Sequence, residues 1–265
     1  MLSKTDSKNL IAAAQAGGKI LRKYFGQALK TTRKSTTADF VTIADIESEM
    51  AIIKILEKNF PKYNIQSEEN GVKNKKSDCT FIIDPMDGTN NYMLGIPNFT
   101  VSIGLYCKGE PLAAVVYQPI LGETYFAERG RGAYLNGKRI KVNTVTDPAG
   151  MTMFCGCNYN VNRPYLAKLT GIVLVAPHKR VSWNWSVAND LCLLAAGKIE
   201  CMLNDRTELH DYAAGKLIAQ EAGAKIVNWN GRPEKDFKND KFIASSTGEI
   251  STHVLSLIKK FNKND

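Results

Sequence analysis

The sequence has no long apolar run. None approaches the ~20 residues that a membrane-spanning helix requires, so no membrane partner is expected. The first ten residues, MLSKTDSKNL, lack the apolar core of a secretion signal, so export is not expected. Cysteine is sparse and scattered: Cys79, Cys107, Cys155, Cys157, Cys192 and Cys201 form no C-x-x-C pair. Three histidines stand far apart in the chain. Together these argue against a zinc site, and the thiols read as reduced packing residues of a cytoplasmic protein. A basic stripe interleaved with aromatics, which nucleic-acid binders favour, is also missing. The net charge of +9 comes from dispersed lysines, with modest clusters only at KNKK (73–76) and HKR (178–180). Such charge reads as a solvated surface that helps draw in phosphorylated small molecules, and a nucleic-acid partner is not expected.

What is there is an ordinary globular composition: 265 residues, 44% hydrophobic and 23% charged. The chain suffices for one unit of two lobes sharing a core. Residues 7–25 read as a helix with an imperfect apolar face, and TIADIESEMAIIKILEKNFP as a second, with Thr42 and Asp45 as a capping pair. A short strand-like run spans Tyr63 to Gln66, and 80–84 reads as a buried strand. From 99 to about 142, short β-rich runs split by glycine turns read as an antiparallel meander. After Pro148 strands and helices alternate. IVLVAP, IECML and KFIASS read as strands; helices are expected over about Asn184–Ala196, about Asp211–Ala222 and at the end. The expected division is an α+β lobe over 1–147 and an α/β lobe over 148–265.

The informative stretch is FIIDPMDGTNNY, residues 81–92. A strand ends by delivering Asp84 and Asp87 into one tight turn. Pro85 fixes φ and removes a donor, so the chain bends after Asp84. Both carboxylates can then face one point, with the Met86 carbonyl nearby. Clustered carboxylates repel unless a proton or a cation neutralises them. Hard oxygen donors favour Mg²⁺. Gly88, Thr89 and Asn90 follow at a helix start, where backbone amides make a phosphate seat. Acids for a cation beside amides for phosphate suggest metal-assisted phosphoryl hydrolysis.

Further acids are Glu68 and Glu69 in SEEN, Asp211 in ELHDYAAGKL, and Asp45. Each has an ordinary reading alone. Asp-Gly is a common turn, a Glu-Glu pair is usually a solvated loop, and Asp211 and Asp45 suit helix starts. The combination carries the weight.

SEE, DPMDGTNNY and HDYAAGKLIAQEAG, in that order, resemble the inositol monophosphatase family of the lithium-sensitive phosphatase superfamily. TTADFVTIAD resembles that family's Asp-x-Val-Thr-x-x-Asp segment through Asp39, Val41, Thr42 and Asp45, and GAYLNGKRIKV its Gly-Ala-x-x-Asn-Gly hairpin. The resemblance implies a layered αβαβα sandwich of the inositol monophosphatase and fructose-1,6-bisphosphatase type. It implies two Mg²⁺, the first held by Glu68, Asp84 and the Met86 carbonyl, the second by Asp84, Asp87 and Asp211. A weaker third ion would lie near Glu68, with Asp45 positioning water. Thr89 would orient the attacking water, and the Gly88 and Thr89 amides would hold phosphate. Glu69 is expected in a supporting or packing role. A homodimer and lithium sensitivity are further expectations.

The sequence departs from the family twice. His210 replaces the usual tryptophan before the distal aspartate, either as a shape-compatible aromatic or as a substrate contact. Trp185 and Ser186 replace a Gly-Ser/Thr pair, so Trp185 either narrows the substrate pocket or packs with Trp183 between lobes. Asn204 or Asp205 falls where inositol-specific members place an acid for sugar hydroxyls. The function read from all this is Mg²⁺-dependent hydrolysis of a small polyol or sugar phosphate, inositol monophosphate first. Water attacks in line, and no Ser, Cys or His arrangement argues for a covalent intermediate. The rivals are 3′(2′),5′-bisphosphate nucleotidase, fructose-1,6-bisphosphatase and histidinol-phosphatase. A different class is a non-catalytic scaffold for RNA or the transcription machinery, against which the complete ligand set argues.

Overall fold

The computed structural model describes residues 1–29, 31–33, 40–234 and 238–263. Asp39 lies outside the described residues. Helix α1 (Lys4–Tyr24) starts earlier than its apolar face suggests, because Ser3 caps it and the Asp6 side chain returns the hydrogen bond. Strands β1 (Thr31–Arg33) and β2 (Phe40–Thr42) form a two-stranded antiparallel ribbon. Helix α2 (Ile43–Asn59) begins at the capping pair expected from the sequence, Thr42 with Asp45.

Eight strands then build one sheet in the order β10-β9-β8-β7-β6-β5-β3-β4. They are β3 (Asn64–Ser67), β4 (Gly71–Lys73), β5 (Cys79–Asp87), β6 (Thr100–Cys107), β7 (Glu110–Gln118), β8 (Glu123–Glu128), β9 (Gly132–Leu135) and β10 (Lys138–Ile140). Strands β6 to β10 form the antiparallel meander that the glycine turns announced. Short helix α3 (Thr89–Met93) follows β5 directly. The chain leaves this sheet after β10 and passes through a 3₁₀ turn, Pro148–Gly150. We place the division between the two sheets' modules in this connection, at 147/148.

The second half holds β11 (Thr152–Cys157), α4 (Arg163–Leu174), β12 (Arg180–Ser182), α5 (Val187–Ala195), β13 (Cys201–Asp205), α6 (Leu209–Glu221), β14 (Lys225–Asn228), β15 (Lys241–Ser245) and α7 (Gly248–Lys263). Its five strands run β12-β11-β13-β15-β14, parallel on one side of β13 and antiparallel on the other. Four apolar interfaces stack the layers. Helices α1 and α2 cover one face of the large sheet. Helices α5 and α6 fill the space between the two sheets. Helices α4 and α7 cover the outer face of the small sheet. The result is the αβαβα sandwich. No helix among the described residues is long and apolar enough to cross a membrane.

Two expectations are corrected. IVLVAP is not a strand: its first three residues end α4 and the rest follow it. A short run of apolar, β-branched residues does not reveal its period. The decision lies upstream, where Asn162 caps the helix and Pro164 occupies its first turn. Nor are all six cysteines thiols. Cys79 and Cys107 face each other across β5 and β6 and form a disulfide. They are 28 residues apart in sequence, so only the strand register brings them together. Cys155, Cys157, Cys192 and Cys201 are free.

The α1–α2 contact depends on a missing side chain. A Cβ on Gly17 would lie 2.7 Å from Ile52 Cδ1 and from Ser48 Oγ. Gly17→Ala therefore gains about 1 kcal/mol of helix propensity but overpacks a closed interface, which costs about 1–3 kcal/mol. The expected outcome is a net loss of up to about 2 kcal/mol in urea unfolding. A stabilised variant would show that the helices separate easily.

Candidate active site

The site is built on the end of β5. Asp84 pairs with Ser102 and Asp87 with Thr100, so three steps on β5 oppose two on β6. That irregularity is a bulge, and Pro85 sits in it, where no ladder donor is needed. The Met86 N–H donates to Asp84 Oδ1 at 2.9 Å, and Ser48 Oγ donates to the Pro85 carbonyl at 3.0 Å. Gly88 then turns the chain into α3 with φ +100°; a Cβ there would meet the Asn98 carbonyl at 2.8 Å. Any other residue would clash and be strained.

Three other elements aim at this turn. On α2, Asp45 Oδ2 accepts from the Thr42 amide at 2.7 Å and from its hydroxyl at 2.6 Å. The Thr89 hydroxyl donates to Asp45 Oδ1 at 3.4 Å and to the Met86 carbonyl at 3.1 Å. The loop after β3 carries Glu68, whose amide donates to the Ile83 carbonyl on β5 at 3.1 Å. On the first turn of α6, Asp211 Oδ2 accepts from the Glu208 amide at 2.8 Å. Helix α6 is itself pinned by buried Lys216, which donates to Glu234 Oε1 at 2.9 Å and to the Asn239 carbonyl at 2.6 Å.

Asp87 links the layers. Its carboxylate accepts from Ser186 Oγ at 2.7 Å, the Ala188 amide at 2.8 Å and the Val187 amide at 3.2 Å. Ser186 thus holds Asp87 and is not among the residues that line the site's cavity.

Two overlapping donor sets result: Glu68, Asp84 and His210, and Asp84, Asp87 and Asp211. Within each set the donor atoms lie within 4.8 Å of one another. The structure brings together every carboxylate expected to hold a cation. Hard oxygen donors dominate, so the residues fit one or two divalent ions of the Mg²⁺ type. Electrostatics agree. Burial, then Glu68, Asp87 and Asp211, hold Asp84 well above the ordinary carboxylate range, against the Met86 amide. Burial and Asp211 push Asp87 up to about 7, against Ser186 and two α5 amides. Acids this frustrated are relieved by a cation.

The donors open into a cavity of about 290 Å³. Gly88, Thr89, Asn90, Trp185 and His210 line it, as do Tyr159, Trp183 and Glu208. Asn204 and Asp205 do not, so the expected sugar contact is corrected. Asn204 is fully buried, with Nδ2 donating to the Asp240 carbonyl and Oδ1 accepting from Thr207. Asp205 pairs with Arg206 and Lys241. Trp185 is 46% exposed and stacks on Tyr159 with centroids 6.0 Å apart, so it is not core between lobes. Trp183 does both: it lines the cavity and packs against the small-sheet core.

Sequence reasoning missed Glu49 and the segment Cys155–Asn160. Glu49 lies four residues after Asp45 on the buried face of α2. It accepts from Ser67 Oγ, from the Glu69 and Asn70 amides at 3.2 Å and from the Asn70 side chain, which shapes the Glu68 loop. Its i, i+4 spacing from Asp45 was the available signal. The Cys155–Asn160 segment, the end of β11 and the turn after it, forms a cavity wall; no motif marks it.

Asp87→Asn is expected to cut turnover more than about 10²-fold while the chelated variant melts no lower than the parent at pH 7.5. The pH dependence follows from the sign of the shift. Asp87 holds its proton to about pH 7 when folded, whereas an unfolded aspartate releases it near 3.9. Between those values the folded state binds more protons, so stability falls as pH rises. Melting temperature without metal should drop by roughly 5–10 °C from pH 5 to 7.5, and the variant should flatten that slope.

Trp185→Gly removes a strained backbone, φ +56°, and a ring stack; these offset at about 1 kcal/mol each. Melting should hardly change, while kcat/KM for bulky relative to small phosphate esters shifts roughly tenfold. A large drop in melting temperature with the ranking unchanged would return Trp185 to a packing role.

Known proteins agree with this architecture. The profile of the inositol monophosphatase family matches residues 4–263. A Nus factor SuhB from Pasteurella multocida is 37% identical over 228 residues, 83% of this chain and 84% of that one. Among solved structures, the extragenic suppressor protein suhB of Bartonella henselae superposes with a TM-score of 0.89 at 30% identity, covering 96% of this chain and 98% of that one. An IMPase of Thermotoga maritima gives 0.87 at 30%, covering 96% of each. With the paired acids of β5, the α6 aspartate and the layered sandwich in place, the chain belongs to the inositol monophosphatase family.

Proposed function

We propose that this chain is a Mg²⁺-dependent phosphate monoester hydrolase acting on a small polyol or sugar phosphate, with inositol monophosphate the first candidate. One observation carries the reading: two donor sets, Glu68, Asp84 and His210 and Asp84, Asp87 and Asp211, share Asp84 and open into one cavity beside the Gly88–Asn90 turn. Glu68, Asp84 and the Met86 carbonyl would hold one ion; Asp84, Asp87 and Asp211 the other. Bound there, the cations supply charge that neutralises the phosphate and lowers the pKa of water.

The chain's own groups do the rest. Thr89 Oγ1 spends its proton on Asp45 and Met86, which leaves its lone pairs to accept from the attacking water. That water is thereby aimed at phosphorus, and Asp45 is placed to take up a proton through Thr89. The turn amides of Gly88 and Thr89 supply donors to phosphate oxygens. Asp87, held by three donors of the α5 start, keeps its carboxylate oriented as charge moves. A homodimer and a cytoplasmic location go with this reading, the latter a compartment in which the Cys79–Cys107 bond is open to reduction.

The name Nus factor SuhB borne by a relative supports a second reading, a scaffold that binds RNA or the transcription machinery. One pair of assays separates them. Phosphate release is measured with Mg²⁺ on inositol monophosphate, fructose 1,6-bisphosphate, histidinol phosphate and a 3′(2′),5′-bisphosphate nucleotide, with LiCl against NaCl. RNA binding is titrated across salt. Hydrolysis led by the polyol ester, with Li⁺ inhibition at millimolar order and only weak, steeply salt-dependent RNA binding, is expected. No hydrolysis of any ester, with salt-resistant RNA binding, would replace the enzyme by the scaffold.

A further inference from the structure

His210 stands one residue before Asp211 on the first turn of α6. Its backbone is tethered to β6. Ser102 Oγ donates to the His210 carbonyl at 3.3 Å, and the Tyr106 hydroxyl donates to the Ala213 carbonyl at 3.1 Å. Strand β6 is also the partner of β5, so the imidazole and Asp84 are held in one frame. The ring lines the cavity with its side chain 22% exposed.

The imidazole points into the carboxylates. Its Nε2 lies 3.4 Å from Asp211 Oδ1 and 3.8 Å from Glu68 Oε2. Donor atoms of Glu68, Asp84 and His210 lie within 4.8 Å of one another. A charge-assisted N–H···O contact closes to about 2.7–2.9 Å, and this ring makes none with either acid. Two donors bound to one cation, each about 2.1 Å from it at right-angle to tetrahedral geometry, are separated by roughly 3.0–3.5 Å. The 3.8 Å between Nε2 and Glu68 Oε2 is a few tenths of an ångström beyond that span, and a cation seated among the Glu68, Asp84 and His210 donors would draw the ring in.

Imidazole suits the later first-row ions such as Fe²⁺, Ni²⁺ and Zn²⁺, Mg²⁺ prefers oxygen, and Mn²⁺, the first of the transition series, suits a mainly carboxylate site that also holds one imidazole. We propose that His210 Nε2 is a nitrogen ligand of the cation held by Glu68 and Asp84, and that this position takes a first-row transition ion such as Mn²⁺ in preference to Mg²⁺. The neighbouring set, Asp84, Asp87 and Asp211, offers oxygen alone and keeps the preference for Mg²⁺. The inference rests on the phosphatase reading for the sharing of Glu68 and Asp84 between cations, yet it is read out without turnover.

The test is pulsed electron paramagnetic resonance of the chelator-stripped full chain carrying one equivalent of Mn²⁺. Nitrogen modulation from a directly bound imidazole is expected, changed to the ¹⁵N pattern by ¹⁵N-histidine labelling and absent in His210→Phe. His178 and His253 face each other at 2.9 Å between Nε2 atoms, so the signal must survive in His178→Ala. Calorimetry should show Mn²⁺ affinity lowered roughly 10–100-fold in His210→Phe, with Mg²⁺ affinity little changed. His210→Asn gives the same comparison if the phenylalanine variant misfolds. Absence of imidazole modulation in the parent, its loss in His178→Ala, or an unchanged Mn²⁺-to-Mg²⁺ affinity ratio in the folded variants would overturn the proposal. Ester hydrolysis on the same preparation keeps the two readings apart: hydrolysis without nitrogen modulation refutes His210 ligation alone, and modulation without hydrolysis refutes the phosphatase alone.

Discussion

The contact between Asp87 and the start of α5 holds this molecule's chemistry together. Asp87 belongs to the large sheet; Ser186, Val187 and Ala188 open the helix that packs against the small sheet. An acid buried this deeply is tolerable only when its oxygens are occupied, and the helix start supplies three donors and a favourable dipole. The cost remains visible in the raised pKa. A bound cation would complete what the amides begin, so that metal binding and inter-layer packing would lean on the same carboxylate.

The other acids of the site follow the same logic of borrowed support. Asp84 is braced by its own Met86 amide, Asp211 by the Glu208 amide, and Asp45 by Thr42. Behind them stands a further layer: Glu49 arranges the Glu68 loop, Ser48 holds Pro85, and Lys216 anchors α6. Residues from 45 to 211 meet within a few ångströms, so the site exists only once both sheets have closed on the α5–α6 layer.

What could be read from the sequence was what is local. The capping pair at Thr42, the bend at Pro85 and the strand-to-helix turn at Gly88 each announce themselves within a few residues, although the strand expected to end at Asp84 runs on through the bulge to Asp87. The Asp84, Asp87 and Asp211 set was readable through the resemblance of its motifs to a known family, since Asp211 alone suits an ordinary helix start. IVLVAP misled because its composition suits a strand, while the deciding cap lay ten residues earlier. Asn204 misled because position in a motif does not say which way a side chain faces; its amide is spent on Thr207 and the Asp240 carbonyl. The Cys155–Asn160 wall and the Cys79–Cys107 pairing are products of tertiary contact, and nothing local betrays them; Glu49 showed locally only in its i, i+4 spacing from Asp45.

The disulfide has a consequence for assembly. Cys79 opens β5 and Cys107 closes β6, directly opposite. A one-residue slip between these strands would turn every side chain to the wrong face. A two-residue slip would restore the faces but displace the partners by roughly 7 Å along the strand, beyond the span of a disulfide. The bond can therefore close only on correctly aligned strands, and Asp84 and Asp87 lie further along that same strand. It works as a gauge: in an oxidised population, each closed bridge certifies one chain whose β5 and β6 are in register.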